Sequence, residues 1–311
     1  MNKTALYITA ASTVSHQPTF GNAGFSAALG PVGADHALIS PDYKAYIEAG
    51  LLRRMSKILR MSVACSKECI AQAGIGQPDA IVVGTGLGCL QDTEKFLNTS
   101  LTVEGLLPPT SFIQSTHNTM AGQISLSIGN HGYNMTHTQN TLSFEHALLD
   151  ASLLLHEGDR NVLVGAADEH IDILDDITGQ LAFETGAALT SGASFFILSS
   201  ENTAYTMAEL ADVHVVGGVA GIQEETDAFL GRNGLATKDV DLVLFAGNPV
   251  DGALKNVPYL ALSGVYATAS AFALHYAADL LQADRGVRNV LICNALRESN
   301  LGLTLLRTVE A

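Results

Sequence analysis

The stretch TLSFEHALLDASLLLHEGDRNVLVGAAD, Thr141–Asp168, has a second copy of its pattern in TASAFALHYAADLLQADRGVRNVLICNA, Thr268–Ala295. Ala147, Ala151, Leu154 and Leu155 fall against Ala273, Ala277, Leu280 and Leu281, and NVLV at Asn161–Val164 falls against NVLI at Asn289–Ile292. Each copy reads as a helix with a small-residue face followed by a short apolar strand. A repeat of this length means two units of one supersecondary design. Working outward, a helix-like stretch over Leu51–Gly74 leads into DAIVVGTGLG, and IQEETDAFLGRNGL leads into DLVLFAGN. Each half then closes on an apolar run, ASFFILSS at Ala193–Ser200 and LGLTLLRT at Leu301–Thr308. None of these runs alternates, so they read as central strands buried on both faces.

The expected architecture is α/β: two repeated halves, 1–203 and 204–311, packed as helix, sheet, helix, sheet, helix. No flexible linker marks the seam near Glu201–Tyr205, so one rigid unit is expected. The 311 residues carry 16 Lys+Arg against 31 Asp+Glu, a formal charge of −15. That excludes nucleic acid and an anionic membrane surface as main partners. With 47% hydrophobic and 15% charged residues the chain is no solvated acidic tail. Asn256–Ala278 carries no charge, but its serines, threonines, tyrosines, histidine and many alanines make it a buried helix of a globular core, not a membrane span. MNKTALYITAAS lacks a signal-peptide core, and four scattered cysteines with no CxxC pair build neither a disulfide scaffold nor a zinc site. The expected compartment is the cytoplasm.

The duplicated pattern and its motifs resemble the thiolase superfamily, and within it the β-ketoacyl synthases. RRMSKILRMSV at Arg53–Val63 resembles the basic helix ahead of their first glycine-rich strand end. GTGLGCLQDTEKF at Gly84–Phe96 is similar to GTGxGG, the segment Leu107–Asn134 to the one ending AGxLxxxxGxxGPN, and GDRNVLVGAADE at Gly158–Glu169 to GxxDxxLxGGxE. The resemblance implies a thiolase-like five-layer α/β/α/β/α fold, a dimer paired through NMTHTQN at Asn134–Asn140, and no cofactor. The chain is shorter than a usual synthase.

Its departures from the family bear on function. The family's cysteine in TACxSG, a thiolate at a helix start, corresponds to Thr141. The family's two histidines fall near Ala246 and Val265, and its lysine near Leu260. CNALRESN at Cys293–Asn300 replaces the closing GFGG loop. Decarboxylative condensation is therefore not expected. The resemblance implies a chain-length-factor-like subunit, as in polyketide, aryl-polyene or flexirubin systems, pairing with an active synthase or with itself. Two alternatives stay open. One is an acyltransferase or thioesterase using Thr141, His117 and His137. The other is an assembly or carrier-binding protein with no tunnel role.

Other features have plainer readings beside the functional ones. Arg53, Lys57 and Arg60 fall at i, i+4, i+7 and, with Arg54, would form a basic helix face suited to an acidic acyl carrier protein, or an ordinary solvated face. Cys65 and Cys69, at i, i+4, read as core packing, as does Cys293. Cys89, after the glycine turn, is a weaker candidate nucleophile. His117 and His137 also fit as interior hydrogen-bonded histidines. GTGLG at Gly84–Gly88 lacks the third glycine of a dinucleotide fingerprint and reads as a tight strand-end turn. The acidic run Asp168–Thr178 has no EF-hand spacing and reads as a surface loop or a helix with one buried face. No metal is expected.

Overall fold

The computed structural model describes residues 5–33, 35–107, 109–181, 187–297 and 299–309. Met1–Thr4, Pro108 and Glu298, which fall within segments quoted above, lie outside them. The strands are β1 (Leu6–Val14), β2 (Ala80–Gly84), β3 (Tyr133–His137), β4 (Asn161–Asp168), β5 (Gly192–Ser199), β6 (Ala208–Gly217), β7 (Leu242–Ala246), β8 (Asn256–Pro258), β9 (Asn289–Asn294) and β10 (Asn300–Arg307). The helices are α1 (Ala49–Leu52), α2 (Lys57–Ala73), α3 (Leu90–Thr102), α4 (Pro109–Gln114), α5 (Thr119–Ile128), α6 (Ser143–Glu157), α7 (Asp172–Gln180), α8 (Ile222–Arg232), α9 (Leu260–Ser263) and α10 (Ser270–Ala283).

The strand order is β3-β2-β4-β5-β1-β6-β10-β9-β7-β8. It reads the same from either end: parallel ladders β2–β3 and β2–β4 answer β7–β8 and β7–β9. The antiparallel ladders β4–β5 and β5–β1 answer β9–β10 and β10–β6. The two half-sheets meet at one short antiparallel ladder, Leu6↔Leu210, Tyr7↔Glu209 and Ile8↔Ala208. Beyond it the central helices α6 and α10 pass between them. One apolar cluster joins Phe144, Ala147, Leu148 and Ala151 of α6 and Ala273, Leu274, Ala277 and Leu281 of α10 to strands of both halves. A second cluster holds α2 and α5 against the outer face of the first half-sheet. A third holds α8 against the second. The five expected layers are present, and the alanines of both repeats are where the middle layer is thinnest.

Three sequence expectations change. The uncharged stretch Asn256–Ala278 is not one helix. Pro258 closes β8, Gly264 adopts φ +74° after α9, and a loop precedes α10. No helix among the described residues is long and apolar enough to cross a membrane. Leu51–Gly74 is likewise divided: α1 ends at Leu52, a turn carries Arg53 and Arg54, and Ser56 takes the N-cap position of α2 without a side-chain capping bond. A serine ahead of an apolar run is a helix start, and it interrupts the basic face. The third change concerns the acidic run. Asp168 and Glu169 are buried, whereas α7 buries none of its residues.

Candidate functional site

The parallel strands of each half end on one edge, and both central helices begin there. β3 ends at His137 and α6 begins at Ser143, leaving a short crossing that holds Thr141. Asn140 takes φ +56°, the only positive φ at a non-glycine among the described residues. Such a conformation costs free energy that the surrounding contacts must offset. Its cause is visible in the packing around it. At Gly84, the end of β2, an added Cβ would lie 2.6 Å from the Ser143 carbonyl oxygen; at Gly86 it would lie 2.2 Å from Ala267 Cβ. The glycine turn presses against both the start of α6 and the approach to α10, so the chain into α6 has one narrow route.

Asp168, at the end of β4, organises this edge. Its carboxyl accepts from Thr85 Oγ1 (3.0 Å), from the Gly86 and Leu87 N–H groups (both 3.0 Å), and from Thr268 N (3.1 Å) and Oγ1 (2.8 Å). Burial pushes this carboxyl up from its ordinary range, and the same donors pull it back toward ionisation. Asp168 therefore joins the two halves and takes up the N–H groups of GTGLG. Those groups serve a carboxylate of the chain itself, as the strand-end-turn reading requires, and are not presented to a phosphate.

Thr141, which the sequence resemblance sets against the family's cysteine, has its Oγ1 buried with no hydrogen-bond partner among the described residues. Its carbonyl accepts from Asn294 Nδ2 (2.8 Å), and the same amide donates to Glu145 Oε1 (2.7 Å). Asn294 ends β9 and pairs with Ala246 in the sheet. The structure thus brings Thr141 and Ala246 together through Asn294. Val265 lies in the connection between α9 and α10, held by Val265 N donating to Ala188 O (2.8 Å) and Val265 O accepting from Thr190 N (3.1 Å). Leu260 begins α9. No imidazole occupies Ala246 or Val265.

Glu145 and Asn294 were not singled out from sequence. Glu145 is 1% exposed and lies against Gly302, where a Cβ would fall 2.7 Å from its Cγ. Burial raises its pKa, opposed by the bond from Asn294. Its Oε2 and Ser270 Oγ are both buried without a bonded partner among the described residues. The available signal was an acid at i+4 from Thr141, in the first turn of the helix. For Asn294 it was an amide ending the apolar run NVLIC.

The histidines lie elsewhere on this flank. His137 Nε2 bonds Asp150 Oδ2 at 2.9 Å, Tyr133 OH donates to the same oxygen at 3.2 Å, and the His146 ring stacks 6.3 Å away. His117 is exposed and lies over Gly88, where a Cβ would meet its Cδ2 at 2.8 Å. No hydrogen bond links Thr141 to either histidine among the described residues.

The cysteines are all buried. Burial pushes Cys65 and Cys293 up to about 12, and raises Cys69 and Cys89 as well. All four are thiols at neutral pH, inert by the usual criterion. Among the basic residues, Lys57 turns inward, its Nζ donating to His170 O (2.7 Å), and Arg60 has a buried Nε with no partner among the described residues. Arg53 and Arg54 face outward and with Lys95 edge a groove of about 980 Å³. No group of three or more potential metal ligands is formed among the described residues.

A palindromic α/β/α/β/α arrangement with its site at the starts of two central helices defines a thiolase-like ketosynthase fold. The chain belongs to the β-ketoacyl synthase N-terminal domain family, whose model matches residues 37–211. Solved structures bear out the fold across nearly the whole chain. "The ishigamide ketosynthase/chain length factor" superposes with a TM-score of 0.82 at 18% identity, covering 98% of this chain and 100% of that one. A β-ketoacyl synthase from Burkholderia phymatum STM815 gives 0.78 at 14%, covering 99% and 100%. The ketosynthase ApeO in complex with its chain length factor ApeC, from Xenorhabdus doucetiae, gives 0.75 at 12%, covering 98% of each chain. No curated protein matches the chain.

Proposed function

We propose that this protein is a non-condensing member of the family. It would pair with an active β-ketoacyl synthase as a chain-length factor does, in polyketide or fatty-acid-type synthesis, with an aryl-polyene or flexirubin pigment as the expected product class. The observation that carries the reading is Thr141: where the resemblance calls for a thiolate it offers a hydroxyl, and that hydroxyl is buried with no hydrogen-bond partner among the described residues. A hydroxyl needs an adjacent base to attack a thioester, and the two positions that would supply one are Ala246 and Val265. The partner reading is supported by β3. It ends the sheet with one side unpaired and exposes Tyr133 and Met135, and Phe112, Ile113 and Leu126 are exposed on neighbouring helices. An open apolar edge is the kind that proteins cover. Arg53, Arg54 and Lys95, along one groove, would meet an acidic acyl carrier protein.

The test is co-purification with the β-ketoacyl synthase encoded nearest to it, followed by mass determination and assay of each component. The expected result is a one-to-one heterodimer in which only the synthase condenses. Condensation of malonyl units by this chain alone would overturn the proposal, and a homodimer that ignores the synthase would overturn its partner.

A further inference from the structure

A cavity of about 380 Å³ lies at the seam, where residues 204–207 pass from the first half to the second. Among its lining residues are Glu68 and Gln72 of α2, His275 and Asp279 of α10, Asn22 and Tyr205. None of the described lining residues is Lys or Arg.

The polar groups there share one orientation. His275 is 5% exposed, and its ring lies edge-on to Phe25, centroids 4.7 Å apart. Its Nδ1 bonds Thr13 Oγ1 at 2.8 Å, and that hydroxyl donates onward to Ser194 Oγ at 2.8 Å. The Thr13 proton being committed, Nδ1 carries the ring hydrogen and Nε2 is left as an acceptor. Nε2 has no hydrogen-bond partner among the described residues. Asp279 accepts from Gly24 N (2.6 Å) and Ser26 N (2.9 Å), which pins its carboxylate at the wall. Glu68 accepts from Tyr46 OH (2.7 Å) and Gln72 Nε2 (3.0 Å). Gln72 and Asn22 each spend an amide hydrogen on a neighbour in the chain, which leaves their oxygens. The last turns of α2 and α10 both reach this place, and neither carries a basic residue. Two helix C-termini, each with negative partial charge, therefore converge on two carboxylates and a bare imidazole acceptor. Tyr205 lies at the mouth with its ring against Gly74.

We propose that this seam cavity binds a small organic ammonium compound, a primary amine or diamine. Its ammonium hydrogens would be shared among His275 Nε2, Asp279 and Glu68, and Tyr205 would cover its charge from the mouth. Two carboxylates and an imidazole acceptor, with no Lys or Arg among the described lining residues, ask for a ligand that brings positive charge. Among the described residues the side chains form no group of three that could hold a metal ion.

The experiment is calorimetric titration of the purified full chain with 1,4-diaminobutane, using 1,4-butanediol as the uncharged counterpart. The His275 imidazole is followed by NMR. The expected result is saturable binding of the diamine and none of the diol, with the His275 signals shifting along the same curve. Glu68→Gln keeps one acceptor, for Gln72 Nε2, and turns an amide donor toward the Tyr46 hydroxyl, which can accept it; the variant is expected to weaken binding about tenfold, the loss of one charge-assisted bond. Ala204→Phe, at an exposed position on the rim, should abolish binding without disturbing the core. Absence of binding, equal binding of the diol, or undiminished binding by Ala204→Phe would overturn the proposal. The last would place the amine elsewhere on the acidic surface.

Discussion

Glu145 is a carboxyl buried where the two halves touch, bonded through one oxygen only. Burial raises its pKa, so the folded state favours its neutral form. A carboxyl with a raised folded pKa stabilises the fold at acid pH and loses that contribution as pH rises through the raised value. Glu145→Gln removes the charge while keeping an acceptor for Asn294. We expect the variant to melt about 2–4 °C above the parent at pH 8, roughly 1 kcal/mol. The two should converge only below the ordinary glutamate value of 4.5, near pH 4. Calorimetric melting at both values checks this, and a variant less stable at pH 8 would refute the account. At this scale the sequence was partly legible. Thr141 was singled out by counting from Gly132 and from the alanines of α6, and it lies in the turn just ahead of α6. Asn294 and Glu145 were not found, because a polar residue in an apolar run has no visible partner until strand and helix come together. His137 and Thr141 are only four residues apart in the chain. That spacing suggested a shared site, yet the strand end aims His137 at Asp150 on the helix face instead.

At the scale of elements, the glycine turn after β2 decides how closely α10 approaches the first half. Gly86 has ordinary backbone angles, so its need for hydrogen at Cα is purely one of space. Gly86→Ala puts a methyl 2.2 Å from that of Ala267 and should cost about 1–3 kcal/mol through overpacking. Ala267→Gly in the same chain should recover most of that. Urea denaturation of the two single variants and the double variant forms the cycle, and an additive double variant would show that the contact is not the cause. The turn could be read in GTGLG; its partner could not, since Ala267 is 181 positions away and chemically silent. The basic face failed for a local reason. Spacing at i, i+4, i+7 predicts one face only if the helix is continuous, and Ser56 begins a new helix three residues after Arg53. Lys57 then points back toward His170, and burial lowers its pKa.

For the whole molecule, the repeat was the most legible feature, because both halves must bury a helix with alanines on one face between two sheets. The opening strand β1 was not anticipated: LYITAASTV mixes Tyr, Thr and Ser with apolar residues, and its burial comes from long-range neighbours on both sides. The open edge at β3 predicts association. Met135→Lys should leave the melting temperature within a few degrees of the parent, since Met135 is 40% exposed. It should weaken association with the partner synthase about tenfold or more, as a charge on an edge does. Light scattering of the mixed proteins reads it, and an unaffected complex would put the interface elsewhere.

The central position of β1 also sets the timing of synthesis. Its neighbours are β5, through Tyr7↔Ser199, and β6, through Leu6↔Leu210. Leu6–Val14 is made before either neighbour, and the first of them, β5, begins only at Gly192. At about 5–20 residues per second that interval is roughly 10–40 s. Throughout it an uncharged, strand-prone nonapeptide stands unpaired, the composition that invites wrong pairing between nascent chains. This strand waits longest for its first neighbour, so a factor that shields emerging chains should raise the yield of native protein more than any stabilising change in the finished core.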